Sequence, residues 1–390
     1  MSQKILLKNA NVCTPELSFE IKNVVCADNK IVYVGDKAKF DDVDYVLDCT
    51  GLTLSPGFID LHIHGSGGGD ATGGSIESIE KIAKSVARFG TTSFLPTITM
   101  TSEEKLETTL NNIKQHMRHQ GCRLMANVLG VHLETPFVNE KMKGAIPETR
   151  EPSVKLAKQL ISQGGETLKI VTLAPELEGM CEIIELFVTS GVIVSLGHTR
   201  ATYSQSLQAL ECGASHFAHL FNASSSITAR DPGVVGAGLY SDSYIEIIAD
   251  GHHVHKDNIK AVAKLKSMDK ICLVTDAIRV AGTSDTSFVR DSGMRVEVRN
   301  GRTWGRNDML VGSVLTQNVA VKNFRDWTGV PLERALSLVT KNPAEELGLY
   351  PFRGAIAVGS IADIVVLNDE LDVVYTIVGG RLVHEGECRS

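Results

Sequence analysis

Between residues 58 and 277 the chain repeats one pattern eight times, a short apolar β-branched run followed by a polar or helix-periodic stretch. The runs are FIDLHIH (58–64), TSFLPTI (92–98), NVLGVHLE (127–134), KIVTLAPE (169–176), VIVSLGH (192–198), HFAHLFN (216–222), IEIIADGHH (245–253) and ICLVTDA (271–277). Such runs suit strands buried on both faces, as in a parallel sheet covered by helices. After the first run, Ile76, Ile79, Ile82, Ala83, Val86 and Phe89 recur at helical spacing and Gly90 closes the stretch. After the fourth, Met180, Ile183, Ile184, Phe187 and Val188 do likewise before Gly191. Eight βα units in series predict a (β/α)8 TIM barrel; a doubly wound open sheet is the alternative. Past the eighth run, RVEVRNGRTWG (295–305) carries an Asn-Gly turn between alternating runs, a β-hairpin inserted before the closing helices.

The two ends of the chain lack helical periodicity. KILLKNANV, IKNVVCADNKIVYVG and YVLDCTGLTLSPG at the start, and ADIVVLND, VVYTIVGG and RLVHEG at the finish, read as short strands and turns. They predict a small β-sandwich domain assembled from residues 1–55 and 356–390, around a catalytic barrel of residues 56–355. Apolar residues at 43% and charged residues at 22% suit a globular chain with a sizeable core. No run approaches the ~18 apolar residues of a membrane span, and the strand-like N-terminus does not resemble an export signal. The eight cysteines are scattered with no C-x-x-C pair, so reduced, mostly buried thiols and a cytoplasmic location are expected. A net charge of −7 argues against a nucleic-acid or anionic-membrane partner, and an anionic substrate must be met by a local cationic site.

In a TIM barrel, chemistry gathers at the C-terminal ends of the strands. Those ends carry His62, His64, Glu134, Glu176, His198, His219, His253 and Asp276; only the second run ends without an ionisable group, in Thr97. His62 and His64, two apart on one strand, face the same side. Two imidazoles buried together need a partner, and a metal ion supplies one. The donors are N and O without Cys, a set suited to zinc first, with iron, manganese or cobalt as alternatives, as one or two ions. Gly65 and Gly67 to Gly69 are expected to let the backbone pass close to a ligand. Blander readings apply elsewhere. His116 and His119 fall on a polar helix face and His384 in the β-rich tail, all three at the surface. His132 is either a support for the ligands or a satisfied core histidine. Glu176 is a structural hydrogen-bond acceptor, and His216, His252 and His255 are given no role.

PGFIDLHIHG, HLETPF, SLGHT, HLFNA, IADGHHV and LVTDA, in this order, resemble the N-acetylglucosamine-6-phosphate deacetylase family of the amidohydrolase superfamily, and GSIADIVVLN is similar to that superfamily's return into the β-sandwich. The resemblance implies a metal-dependent deacetylase of an N-acetylhexosamine 6-phosphate. By the same resemblance, Glu134, His198 and His219 match the ligands of a principal metal, and His62 and His64 a pair that holds a second. Asp276 matches the catalytic acid/base and His253 the histidine that polarises the acetyl carbonyl. Asn222, Ala223 and Arg230 match positions that grip the sugar phosphate, the arginine reaching across from the neighbouring subunit of a homodimer. Ala145, Leu310, Val311 and Gly312 match positions that line the sugar pocket.

The chain departs from the family pattern at HLETPF, KGAI and HLFNAS. Thr135 stands where Gly is usual, Ile146 where a sugar-contacting His is usual, and Ser224 where Met is usual. These changes touch the sugar pocket and open the choice between gluco and galacto substrates. Two rival functions remain to be weighed. A cyclic amidase of the dihydroorotase or hydantoinase type would carry a lysine at the end of the fourth strand, where this chain has Ala174-Pro175-Glu176. A non-catalytic sugar-phosphate sensor would have lost ligands or base, and none is missing.

Overall fold

The structure, a computed structural model, describes residues 3–386 except 38, 39, 41, 291 and 292. Five strands from the N-terminal end (Ile5–Cys13, Phe19–Ala27, Lys30–Gly35, Tyr45–Asp48, Thr53–Pro56) join three from the C-terminal end (Ile364–Leu367, Val373–Val378, Arg381–Glu385) in one eight-stranded sheet. The seam is the antiparallel pairing of Thr53–Pro56 with Ile364–Leu367. Ile5, Leu7, Val24 and Leu54 from one end of the chain pack with Ile364, Val366 and Ile377 from the other, in a core separate from that of the barrel. Neither end buries its apolar residues alone.

The eight barrel strands are Phe58–Ile63, Thr91–Thr99, Val131–Glu134, Leu168–Leu173, Ile193–Leu196, His216–Phe217, Tyr244–Ile247 and Ile271–Leu273. Neighbours pair in parallel in sequence order. The first and eighth close the ring through Asp276 N–H to His62 O (2.8 Å) and His64 N–H to Ala277 O (2.9 Å). Helix Ile76–Ala87 starts at Ser75, whose side chain accepts from Ser78 N–H; it buries Ile79, Ile82, Ala83 and Val86. Gly90, at φ 84°, ends the turn that follows. Helix Met180–Thr189 buries Met180, Ile183, Ile184 and Phe187 and stops before Gly191 at φ 77°. The insertion is a three-stranded sheet, Ser287–Val289, Arg295–Arg299 and Arg302–Trp304, with Asn300 and Gly301 at φ 55° and 72° in the turn. Positive φ at both positions is what a tight hairpin turn demands.

Three expectations need correction. The glycines after His64 do not line the site: a Cβ on Gly67 would lie 2.5 Å from Ser85 Cβ, and one on Gly69 2.3 Å from Ser78 O. Gly67 and Gly69 let the loop press against the helix, whereas a Cβ on Gly65 would meet Gly69 O and Arg279 N and one on Gly68 would meet nothing within 4 Å. His116 is buried at 1% exposure, with neither ring nitrogen hydrogen-bonded; it shares the inward face of its helix with Leu106, Leu110 and Ile113. His384 is half-buried. The cysteines are not all free thiols: Cys181, on helix Met180–Thr189, and Cys212, capping helix Tyr203–Glu211, form a disulfide with Cα atoms 5.6 Å apart. Cys13, Cys26, Cys49 and Cys272 are buried and free; burial pushes the thiols of Cys13, Cys26 and Cys49 up to about 12. Cys388 and the side chain of Cys122 lie outside the described residues. Among the described residues no helix is long and apolar enough to cross a membrane.

Candidate active site

Several strands end earlier than their apolar runs suggest, and the reason is chemical placement. His198, His219 and Asp276 sit just past strand ends at φ 49°, 28° and 47°. Left-handed backbone costs a non-glycine residue about 1–3 kcal/mol and persists only where surroundings enforce it. Here they do. Asp276 is pinned by its N–H to His62 O and by Ser313 N–H to its own carbonyl, both 2.8 Å. Gly312, at φ 61°, permits that approach, since a Cβ there would lie 2.8 Å from Asp276 O. His219 N–H donates to Glu246 Oε2 at 2.9 Å. Asn139 N–H donates to His198 O at 2.9 Å.

The result is a buried cluster. Glu134 Oε1 lies 3.0 Å from His198 Nε2, 3.6 Å from His62 Nε2 and 3.7 Å from His219 Nε2; Glu134 Oε2 lies 3.7 Å from His64 Nε2. Asp276 Oδ1 is 3.3 Å from His64 Nε2 and 3.8 Å from His62 Nε2. Each ring shows its Nε2 to the centre because its Nδ1–H is committed elsewhere: His64 to Thr97 O (3.1 Å), His198 to Met142 O (2.8 Å), His219 to Asn222 O (3.2 Å) and His62 to Glu246 Oε2 (2.8 Å). Thr97, without an ionisable side chain, therefore serves the site through its carbonyl. Burial would raise both carboxylates, but the surrounding imidazoles outweigh it and hold Glu134 and Asp276 well below the usual carboxylate range.

These residues fit a divalent metal. His62 Nε2 is buried with no hydrogen-bond partner while pointing at two carboxylates, an arrangement that costs free energy unless a cation intervenes. Candidate ligand atoms of His62, Glu134 and His219, and of His62, His64 and Asp276, lie within 4.8 Å of one another in each group.

Above the cluster opens a cavity of about 400 Å3. Its walls include Asn222, Ala223, Ala145, Leu310, Val311 and Gly312, all anticipated in the sequence, and His253. The His253 ring is aimed by Nδ1 against Asp250 Oδ2 at 2.6 Å. Burial lowers its proton affinity, but the bond to Asp250 and its charge more than offset this and raise the ring above its ordinary value. Arg230 is exposed and is not among the residues lining its own chain's cavity.

Of the departures, only Ile146 lines the cavity. Thr135 is fully buried and spends its hydroxyl on Thr172 O (2.9 Å); Ser224 donates to Asn222 O (3.1 Å), the carbonyl that also holds His219. Neither is among the lining residues, which corrects the expectation for both. His132 is a satisfied core histidine, bonded to Leu61 O and Thr172 Oγ1, and Glu176 accepts from Asn139, Thr199 and Arg200 as a structural carboxylate. Lys169 packs against Gly130 at the opposite end of the barrel, so the fourth strand offers no lysine to bridge two ions.

Two residues escaped the sequence reading. Arg290, from the inserted hairpin, lines the cavity with its Nε buried and unpartnered; burial pulls its pKa below the ordinary arginine range. Nothing in TSFVRD separates it from a solvated hairpin arginine. Glu246, inside the apolar run YIEI, is fully buried beneath the cluster. A charged residue in an otherwise apolar barrel strand is the signal that was available.

A parallel βα barrel whose strand ends gather four imidazoles, two carboxylates and an open cavity defines a metal-dependent hydrolase of the amidohydrolase class. The model of the amidohydrolase family matches residues 53–383. The chain is 33% identical to N-acetylglucosamine-6-phosphate deacetylase of Bacillus subtilis, with 98% of each chain covered. It is 34% identical to N-acetylgalactosamine-6-phosphate deacetylase of Escherichia coli, with 84% of this chain and 87% of that one covered. The crystal structure of N-acetylglucosamine-6-phosphate deacetylase from Pasteurella multocida superposes with a TM-score of 0.92 at 33% identity, covering 98% of this chain and all of that one. The chain belongs to the amidohydrolase family and, within it, to the N-acetylglucosamine-6-phosphate deacetylases.

Proposed function

We propose that the chain hydrolyses the acetamide of an N-acetylhexosamine 6-phosphate, releasing acetate and the amino-sugar 6-phosphate in amino-sugar catabolism. The observation that carries this reading is the cavity of about 400 Å3 whose floor is the Glu134, His198, His219 and Asp276 cluster. Glu134, His198 and His219 would hold a principal ion, zinc by the nature of the donors, and His62 with His64 a second. Such an ion lowers the pKa of water to about 7 and polarises a carbonyl. Asp276, held ionised by its imidazole neighbours, takes a proton from the attacking water and hands it to the departing amine nitrogen. His253, aimed by the bond from Nδ1 to Asp250, whose hydrogen bond and charge raise the ring's proton affinity against the effect of burial, would in its protonated form donate from Nε2 to the acetyl carbonyl oxygen. One such donor is typically worth about 3–4 kcal/mol in the transition state.

Arg290 supports an anionic substrate, because a guanidinium at the cavity wall whose buried Nε has no hydrogen-bond partner is stabilised when an anion arrives. Arg230, exposed, is assigned to the neighbouring cavity of a homodimer. Arg230→Ala is expected to weaken 6-phosphorylated substrates about 10- to 100-fold, the scale of a charged hydrogen bond, and to leave unphosphorylated sugars little changed. Mixing it with Asp276→Asn chains should restore activity, since a mixed dimer then holds one intact site. Confirmed subunit exchange without restored activity would refute the assignment across subunits.

The test of the function is acetate release from N-acetylglucosamine 6-phosphate and N-acetylgalactosamine 6-phosphate, compared with ring opening of dihydroorotate and hydantoin. Release from neither sugar ends the deacetylase reading. Ile146, apolar where the family places a sugar-contacting histidine, removes a polar partner from the cavity. An unsatisfied buried hydroxyl costs about 1–3 kcal/mol, so we place the galacto epimer ahead. Ile146→His is expected to shift the kcat/KM ratio about tenfold toward the gluco sugar. A wild-type preference for the gluco sugar above about tenfold, roughly 1.4 kcal/mol, would sink that choice.

A further inference from the structure

Three of the four cluster imidazoles are aimed by backbone carbonyls, and one is not. His62 Nδ1 meets a side chain, Glu246 Oε2, at 2.8 Å. Glu246 is fully buried on the seventh barrel strand, Tyr244–Ile247. The same Oε2 accepts the backbone N–H of His219 at 2.9 Å. One carboxylate oxygen therefore sets the ring of one candidate ligand and the backbone of another. An ionised carboxylate can only accept, so opposite Glu246 it is His62 Nδ1 that donates, which leaves the Nε2 lone pair free to face the centre.

Glu246 is itself held from below. Its Oε1 lies 3.1 Å from His216 Nε2, an ion-pair contact without hydrogen-bond geometry, since neither buried atom has a hydrogen-bond partner, and His216 Nδ1 is bonded to Glu346. Cys272 Sγ donates to the other Glu346 oxygen at 3.7 Å. Glu346 ends helix Lys341–Glu346 and lines a second cavity of about 460 Å3 with Ser215, Tyr244 and Lys270, residues that precede or open the sixth, seventh and eighth strands. A series of alternating carboxylates and imidazoles, Glu346, His216, Glu246 and His62, thus crosses the barrel interior from the far face to the cluster, hydrogen-bonded at its two ends and joined between His216 and Glu246 by an ion-pair contact. A purely structural core needs no such series: four polar groups in a barrel interior cost more than aliphatic side chains of equal volume unless they do something else.

We propose that Glu246 is the positioning residue of the metal centre, fixing the tautomer and direction of His62 and the backbone of His219, with the His216 ring, itself bonded to Glu346, in charge contact beneath it. The proposal rests on the assignment of His62 as a metal ligand. A carboxylate behind an imidazole ligand raises its basicity, and losing such a partner typically weakens metal affinity about 10- to 100-fold.

The test reads metal, not turnover, so failure of the deacetylase reading would leave its outcome intact. Zinc bound per chain is measured against buffered free zinc for wild type, Glu246→Gln, His62→Asn and the double variant, with melting of the metal-free forms as the control for packing. Glu246→Gln keeps volume and hydrogen-bonding shape. It is expected to weaken the site that includes His62 about 10- to 100-fold, with metal-free melting unchanged, and to have a much smaller effect once His62 is Asn, where only the support of His219 is left to lose. Wild-type-like zinc affinity in Glu246→Gln would overturn the proposal, and so would an equal loss from Glu246→Gln in the His62→Asn background. If metal-free Glu246→Gln melts well below wild type, Glu246→Asp, which keeps the charge one methylene further back, carries the same comparison with the same outcomes.

Discussion

Asp276→Asn is expected to lower kcat about 10²- to 10⁴-fold, the usual scale for general acid–base catalysis, while leaving fold and sugar-phosphate binding in place. The expectation follows from how Asp276 is held. Its backbone is fixed by three neighbours, His62 O, Ser313 N–H and the close approach of Gly312, none of which an Asn side chain disturbs. Only the carboxylate changes in character, losing its charge and one oxygen; its Oδ1 lies 3.3 Å from His64 Nε2 and 3.8 Å from His62 Nε2. An amide there keeps shape but can neither take nor return a proton. The variant should therefore bind zinc and sugar phosphate, and a crystal of it should trap intact substrate. Acetate release alongside zinc content and circular dichroism checks this. More than about a tenth of wild-type kcat in a zinc-loaded variant would remove Asp276 from proton transfer.

The residues that sequence made visible are those whose chemistry is local. Eight β-branched runs alternating with helical stretches point to a parallel sheet buried on both faces, and most ionisable groups at the run ends converge on one site, Glu176 excepted. The same logic placed His62, His64, Glu134, His198, His219, His253 and Asp276, all of which meet at the cluster or its cavity. What stayed hidden depends on contacts between distant segments. Glu246 reads as one polar residue in YIEI until His62, His216 and His219 are seen around it. Cys181 and Cys212, 31 residues apart, pair only because two helices lie side by side. His116 looks solvated among Lys114, Gln115 and Arg118, yet it falls on the inward stripe of its helix. The glycines after His64 suggested a ligand, and the demand at Gly67 and Gly69 comes from the helix that Ser75 begins. Positive φ at His198, His219 and Asp276 has no sequence signature, because non-glycine residues adopt it only under tertiary constraint.

Glu134→Gln separates the metal from the base, and its expected effect is as large. Glu134 is the carboxylate that all four imidazoles share, with His198 Nε2 at 3.0 Å and the other three at 3.6 to 3.7 Å. A neutral amide at that point cannot offset the charge of a divalent ion, and one face of the amide would present hydrogens to the ion or to the rings. Breaking a buried ion pair commonly costs about 3–5 kcal/mol of stability because a charge is stranded. Imidazoles escape that penalty by shedding their protons, so Glu134→Gln should still fold. Zinc content should collapse, and with it the several kcal/mol that a bound ion contributes to the transition state, about 10³-fold or more in kcat. Excess zinc should restore part of the activity to Glu134→Gln and none to Asp276→Asn, which never lost its ion. That crossed comparison is the decisive measurement. A Glu134→Gln enzyme that keeps full zinc content through dialysis would show that the ion is held by other groups of the cluster, and would shift the principal site toward His62, His64 and Asp276.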